Sequence, residues 1–409
     1  MKKEKIKIKN EGHIILIIKS LLLIVSLLIV NSMAFAQDVT TVVEGDEGRT
    51  QLSSNIGGIS IGYIKVGTKE VGNLAWHPDL KLGPWGFGAD VNIPLGEEKP
   101  SGYENVVLRY AEYDDGKKGL RYGVIDNLTW GHGLLMRGYS TRVSGPVLLN
   151  NEQLAVNGYV DIMDKYVVRG LGTRTNIYGV RLEERIHPML TLGQTYITDT
   201  DGVTLPGTTE VQKVSGYGLD ASVPLPLNFE GYAEYAHLID YGSGFSTGLS
   251  WGMDLMVASA SLLAEYRFLD SNFVPGYFDA DYETNPINLA SAEATGNVKN
   301  GYLAQLGISA LDIATLNAVY EYYNDSDAAS VTADLSAKLI GDIEVTGYYK
   351  QPKFTNFRSL SLEEGAIMGG SIAYPVNPFT RIVVHYKKVY NPDTAEVEES
   401  QYYELRLSF

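Results

Sequence analysis

Side chains of an extended chain point alternately to opposite faces. A run in which every second residue is apolar and the intervening ones are polar or charged therefore specifies a strand with one dry and one wet face. Residues 330–339 read this way: Val331, Ala333, Leu335, Ala337 and Leu339 form one face, and Thr332, Asp334, Ser336 and Lys338 the other. In residues 343–350, Ile343, Val345, Gly347 and Tyr349 alternate with Glu344, Thr346, Tyr348 and Lys350. At the chain end, Tyr403, Leu405, Leu407 and Phe409 alternate with Tyr402, Glu404, Arg406 and Ser408. The polar faces are too charged to form the dry core of a soluble sandwich.

The connections between such runs alternate in length. Reading back from Phe409, 391–399 is long, 376–378 short, 352–362 long and 341–342 short. Farther back, 324–328 is intermediate, 311–312 short, 269–298 very long, 252–254 short, 240–244 intermediate, 224–228 short, 198–212 long and 187–188 tight. A membrane barrel keeps this rhythm because turns on one side are short and loops on the other are long. Tyr at 28, Gly at 43 and an aromatic share of 11% fit strands with interfacial aromatics better than helices.

The first 36 residues carry Lys2, Lys3, Lys5, Lys7 and Lys9, an apolar run over 21–30 and the small-residue site Ala34-Phe35-Ala36. That order is an export leader, with cleavage after Ala36. Residues 37–55 read as a polar leader segment and 56–409 as one barrel domain. Residues 1–36 hold six Lys and two Glu, so the remainder has 27 basic and 47 acidic residues. Nucleic acid needs a concentrated basic footprint and is a poor partner for this balance. The absence of cysteine excludes a disulfide framework and thiolate metal sites.

The final strand 401–409, with its alternating apolar residues and terminal Phe409, resembles the outer-membrane β-barrels of Gram-negative bacteria. That resemblance implies an all-β, transmembrane antiparallel β-barrel of roughly 16–18 strands, with short periplasmic turns and longer extracellular loops. It implies insertion into outer-membrane lipid by the barrel-assembly machinery, for which Phe409 is the assembly signal. General porins, which this scheme resembles, pass small hydrophilic solutes or ions by passive diffusion, need no cofactor and are commonly homotrimers.

If the apolar face meets lipid, strand phase predicts the opposite face. Arg109, Arg121, Arg181, Glu183 and Arg185 point inward, with Leu108, Tyr110, Tyr122, Val124, Val180 and Leu182 toward lipid. Later strands add Glu230, Glu234, Glu265, Arg267, Glu321, Asp334 and Glu344, beside Lys338 and Lys350. Two readings stand side by side. A basic wall facing an acidic one would put a transverse field across an aqueous lumen. Alternatively, the same charges pair into salt-bridged ladders that stiffen the wall. Excess carboxylate favours cations.

Residues 128–151 are the ambiguous segment. Trp130-Gly131-His132-Gly133 and Ser144-Gly145-Pro146 break a clean strand, so this stretch is either irregular wall or a constriction folded into the lumen. No G-x-S-x-G, H-E-x-x-H or phosphate loop is present. His132, near Ser140 and Ser144, reads as a turn histidine rather than a catalytic base. The acidic runs 199–201 and 279–283 lack the ligand spacing of a calcium loop. Phe273, Tyr277, Phe278 and Tyr282 in the longest connection either contact a ligand or pack the loop itself. The competing reading is a closed surface barrel with a structural or adhesive role, acting through its long loops, 269–298 above all.

Overall fold

The computed structural model describes residues 59–66, 69–76, 78–95, 106–142, 153–205, 209–284, 286–289, 298–324, 326, 328–339, 341–354, 366–391 and 396–407. The export leader 1–36, the polar segment 37–55 and Phe409 lie outside the described residues, as does 143–151 of the ambiguous segment. No helix among them is long and apolar enough to cross a membrane.

The chain enters as β1 (Ile59–Val66), β2 (Lys69–Trp76), β3 (Asp79–Leu82), β4 (Trp85–Leu95), β5 (Val106–Asp114) and β6 (Lys118–Gly123). A small hairpin of β7 (Leu128–Trp130) and β8 (Met136–Tyr139) interrupts the sequence of wall strands. The wall resumes with β9 (Ala155–Ile162), β10 (Tyr166–Thr173), β11 (Ile177–His187) and β12 (Leu190–Asp199). A second small pair, β13 (Val203–Thr204) and β14 (Val211–Gln212), precedes β15 (Ser215–Leu225), β16 (Phe229–Leu238), β17 (Gly242–Leu255) and β18 (Ala258–Leu269). The remainder is β19 (Lys299–Ala310), β20 (Ala314–Tyr323), β21 (Ala329–Leu339), β22 (Ile343–Phe354), β23 (Ile367–Asn377), β24 (Thr380–Asn391) and β25 (Glu396–Leu407).

One 21-stranded sheet holds every strand except the two small pairs. Its neighbours are antiparallel throughout, and β1 pairs with β25 from Ile59↔Leu407 to Lys65↔Gln401. First and last strands are thus hydrogen-bonded to each other and the wall closes on itself. β2 and β3 both lie against β4, in registers Gly72↔Leu95 and Asp79↔Gly88, and share one position. Among the described residues the ring therefore has twenty positions, against the 16–18 expected. The difference arises in the N-terminal half, where β2 and the hairpin β9–β10 carry glycines such as Gly158, Gly170 and Gly172 that blur the alternation.

Among the described residues the connections between wall strands at one end are tight, including 83–84, 115–117, 163–165, 188–189, 256–257 and 378–379, while the strand ends joined by longer stretches of sequence, β12 to β15, β18 to β19 and β22 to β23, lie at the other. The turn expected at 252–254 lies a few residues later, because β17 runs on to Leu255. Outward positions are apolar and exposed, as at Leu120, Val180, Leu219, Leu262 and Tyr302. Aromatic pairs ring both ends: Trp85–Tyr113 and Phe229–Trp251 near the short turns, Tyr266–Phe268 and Tyr302–Tyr322 near the long loops. A sheet whose first and last described strands pair, with an apolar outside and aromatic pairs near both ends, is the form in which strands can span a lipid bilayer.

Two residues expected on the lipid face are not there. Tyr110 is buried on the inner side, its hydroxyl donating to Asp79 at 2.5 Å. The register steps between Gly88 and Ala89, so that Gly88 faces Tyr110 and Ala89 faces Leu108. Arg109 is the extra residue of this bulge, and Arg109 and Tyr110 both turn inward. Val124 is fully buried because the chain leaves the wall at Gly123.

Candidate constriction of the lumen

Residues 124–142 form an insert that folds inward from the end bearing the long loops. Gly123 starts the departure with φ +149°, and a Cβ there would meet backbone atoms of Arg109 and Tyr110, so only glycine fits. The neck is closed by Thr141, whose N–H donates to the Ile125 carbonyl at 2.9 Å and whose hydroxyl accepts the Ile125 N–H at 2.9 Å. Beside it Arg142 donates to both oxygens of Asp126, at 2.9 and 2.8 Å.

Glycines on the inner wall make room for the insert. A Cβ at Gly179 would lie 2.6 Å from the Trp130 ring, and one at Gly216 would lie 2.8 Å from Leu135. Leu134, Leu135, Met136 and Tyr139 are at most 1% exposed, packed with inward residues such as Ile177, Ile197, Ala236 and Leu238. These side chains leave water rather than lipid on docking, so the hydrophobic effect operates here, at about 1.5–3 kcal/mol for each large one.

The longest connection completes this core. Phe273 lies over Gly244 of the inner wall, and Tyr277, Phe278 and Tyr282 pack edge-on or tilted against one another. Its backbone joins the insert: Gly276 N–H donates to Leu134 O at 2.8 Å, and Arg137 N–H to Phe278 O at 3.0 Å. Gln212 anchors it through Tyr277 at 2.5 Å, the Ile287 carbonyl at 2.9 Å and the Leu289 N–H at 2.8 Å. Tyr282 donates to Asp199 at 2.7 Å, while Tyr139 and Thr175 donate to Glu283 at 2.5 and 2.8 Å. The aromatic residues of this connection therefore serve packing inside the ring.

The charged residues of the inner face fall into two groups. Behind the insert, Arg181 donates to Glu183 at 2.8 Å and grips both oxygens of Asp220 at 2.6 and 2.9 Å. Glu183 also takes Arg169 at 3.2 Å. Glu234, 3% exposed, accepts the N–H groups of His132 and Leu134 at 3.2 and 3.0 Å and holds the insert's tip to the wall. Glu265 accepts Tyr232 at 2.6 Å and Arg267, which also pairs with Glu321. Arg109 pairs with Asp79 at 3.1 Å and Asp90 at 3.8 Å. Arg181, Glu234, Glu265 and Arg267 are 2–5% exposed, so in this arrangement a dissolved solute does not reach them.

The second group is open to water. Arg121 pairs with Glu112 at 3.0 Å, and Arg185 with Asp161 at 3.1 Å close to the short turns. Glu230 takes an inward position near the same end. On the arc β21–β25, Asp334, Lys338, Lys350 and Lys387 point inward and are exposed, and Glu344 pairs with Arg381 at 3.0 Å. Facing this arc the longest connection presents Asp281, and the ion pair Lys350–Asp281 crosses from wall to loop. A carboxylate of the longest connection and a lysine of the arc thus meet, a pairing the strand phase alone does not reveal.

Burial, and next to it the Asp281 carboxylate, push Asp279 up to about 6, against the backbone N–H groups of Asp281 and Tyr282 and the Lys350 ammonium. A carboxyl raised in the docked loop favours docking most below its ordinary range, and this contribution is lost as pH rises through about 6. Current fluctuations from loop movement should therefore fall roughly several-fold between pH 7 and pH 5. Asp279→Asn should be quiet at both; fluctuations that grow with acid would contradict this.

His132 stacks on Tyr232 with ring centres 3.6 Å apart, and burial lowers its pKa, so it is a neutral packing element. Ser140 donates instead to the Ile125 carbonyl at 3.2 Å. Residues not singled out from the sequence include Asp220, Arg137 and Gln212. The inward glycines 179, 216 and 244 are the visible trace of where Trp130, Leu135 and Phe273 dock, since glycine inside a strand marks a close approach.

No protein-family model matches the sequence, and no curated protein matches it. Among solved structures, the chain is similar to the outer membrane protein OpdK of Pseudomonas aeruginosa, at 11% identity and TM-score 0.38 over 86% of this chain and 96% of that one. It is similar to a BenF-like porin from Pseudomonas fluorescens Pf-5, at 10% identity and TM-score 0.39 over 86% and 97%. It is also similar to Wzi of Escherichia coli, an outer membrane protein of capsule assembly and a carbohydrate-binding β-barrel, at 10% identity and TM-score 0.36 over 88% and 86%.

Proposed function

We propose that this chain is a porin-like channel of the outer membrane, passing small hydrophilic solutes or ions by passive diffusion through a lumen narrowed by residues 124–142 and 270–289. The observation that carries the reading is the inner arc β21–β25. Its Asp334, Lys338, Lys350 and Lys387 remain exposed inside a closed ring whose outside is apolar, and charged side chains there need water beside them. In this reading the short turns face the periplasm and the long loops the exterior, after export through the leader 1–36. The pore-lining set narrows to Arg121, Arg185, Glu230, Asp334 and Glu344, joined by the lysines of the arc; Arg109, Arg181, Glu183, Glu234, Glu265, Arg267 and Glu321 hold the wall and the insert.

The surface-adhesion reading loses its main support, because 270–289 of the longest connection turns inward onto the insert. Selectivity follows from 47 acidic against 27 basic residues beyond the leader and from Asp279, Asp281 and Glu283 at the constriction. Cation preference is the expected sign. A reversal potential under a salt gradient in a planar bilayer checks it; anion preference would transfer control to Lys338, Lys350 and Lys387. A folded barrel that carries no current overturns the channel itself.

A further inference from the structure

Turns that stand in water are built mostly from glycine and polar residues. The rim of short turns departs from this. Leu82, Met163, Leu227, Met256, Leu311 and Phe379 occupy or adjoin six of its turns and are exposed, Met163 at 91%, Leu227 at 82% and Met256 at 78%. Three of them hold a left-handed backbone, with φ +55° at Met163, +64° at Leu227 and +39° at Leu311. That conformation suits glycine, Asn and Asp and is strained for a bulky apolar side chain. The opposite rim shows what the same conformation takes when no other demand acts. Its left-handed turn residues other than glycine, among those described, are Asn176 and Asp240. Apolar side chains are therefore kept at the short turns against the preference of their own backbone, and strain that persists points to a side chain needed where it is.

Continuity and distribution identify what covers them. The tips prolong the lipid-facing wall without a polar break: outward Ile162 leads into Met163, Leu225 into the turn of Leu227, and Leu255 into Met256, all of them exposed. They also lie around the circumference, on the hairpins β3–β4, β9–β10, β15–β16, β17–β18, β19–β20 and β23–β24. A surrounding medium touches such a set, whereas a protein docked on one side does not. Where turn and wall meet, the outward Trp251 donates its indole N–H to the Leu227 carbonyl at 3.1 Å, so the ring needs no water at its polar edge. We infer that the short-turn rim is a lipid-anchoring surface, its tips seated in the glycerol and upper acyl region of the leaflet on that side. The mouth of the lumen then opens level with the lipid headgroups instead of standing beyond them. This seating requires the barrel to lie in its membrane and holds whether or not the lumen conducts.

The chain has no cysteine, so a single introduced thiol reports on one position alone. Met163→Cys, Leu227→Cys and Met256→Cys, with Lys213→Cys on the opposite rim as the water-exposed reference, are labelled with a nitrobenzoxadiazole fluorophore. Each is reconstituted in phosphatidylcholine vesicles with iodide on both sides of the bilayer. Iodide should quench the three tips at least about threefold less than the reference, and a nitroxide carried close to the lipid glycerol should quench them at least about threefold more. Tips as open to iodide as the reference overturn the seating and leave the rim in water, bare or covered by a periplasmic protein. A second measurement uses no label. Met163→Asn combined with Leu227→Asn relieves the left-handed backbone, so a rim in water predicts a urea midpoint in vesicles equal to or above that of the unaltered protein. The seated rim predicts a lower midpoint, because two apolar anchors are lost. An equal or raised midpoint overturns the proposal, and this comparison decides alone if the labelled variants do not fold.

Discussion

Removing residues 127–139 and joining Asp126 to Ser140 through two glycines should raise single-channel conductance on the order of two- to threefold. The join is short because Ile125 and Thr141 are already hydrogen-bonded to each other across the neck, so the wall keeps its closure. The deletion takes away Trp130, Leu134, Leu135 and Met136, and with them the partner surface of Phe278 and Tyr277. The longest connection then loses its seat, and the variant's current should also fluctuate more. An unchanged conductance in a folded variant would mean that the insert lies outside the current path.

Arg267→Leu should destabilise the barrel by about 3–5 kcal/mol, because it leaves a buried carboxylate without its counter-charge. Arg267 is 2% exposed and lies between Glu265 and Glu321, with Tyr323 also within reach of its guanidinium at 2.7 Å. Among the described residues, Glu265 then keeps the Tyr232 hydroxyl as its hydrogen-bond donor. The double variant Arg267→Leu with Glu265→Leu should recover most of the loss, since replacing both buried ions by apolar groups of similar size is often close to neutral. Urea unfolding midpoints in one detergent measure both. A single variant as stable as the starting protein would show that water reaches Glu265 and that the belt behind the insert is not sealed.

How much of this was legible before the fold differs by region. Strands such as β21, β22 and β25 could be read because each has one lipid face and one wet face, and period two survives only under that asymmetry. The bulge at Arg109 could not be read, since one added residue reverses the phase of everything beyond it and moves Tyr110 from outside to inside. Leu134, Leu135 and Met136 run consecutively because the insert is surrounded on both sides, so alternation gives no signal there. Their partners, Phe273 to Tyr282, lie about 140 residues later in sequence, and neither cluster announces the other. The inward direction of Arg181, Glu234 and Glu265 could be read from phase, but their concealment behind the insert depended on that unread meeting.

Closure between β1 and β25 has a kinetic consequence. The ring is completed by pairing Ile59 with Leu407, the largest sequence separation the described residues offer, whereas every other wall contact joins strands that follow one another directly or across a loop or insert. Hairpins can form early and locally, yet until this last zipper engages, the sheet has two exposed edges, each a row of unpaired amides that hydrocarbon does not solvate. The slow step of folding is thus postponed to the end of the chain, and its rate is set by how often two distant edges meet. Substitutions that weaken β1 or β25 should lengthen the life of the open-edged state far more than equal changes in a mid-sheet hairpin, which makes self-association during folding the main hazard for this protein.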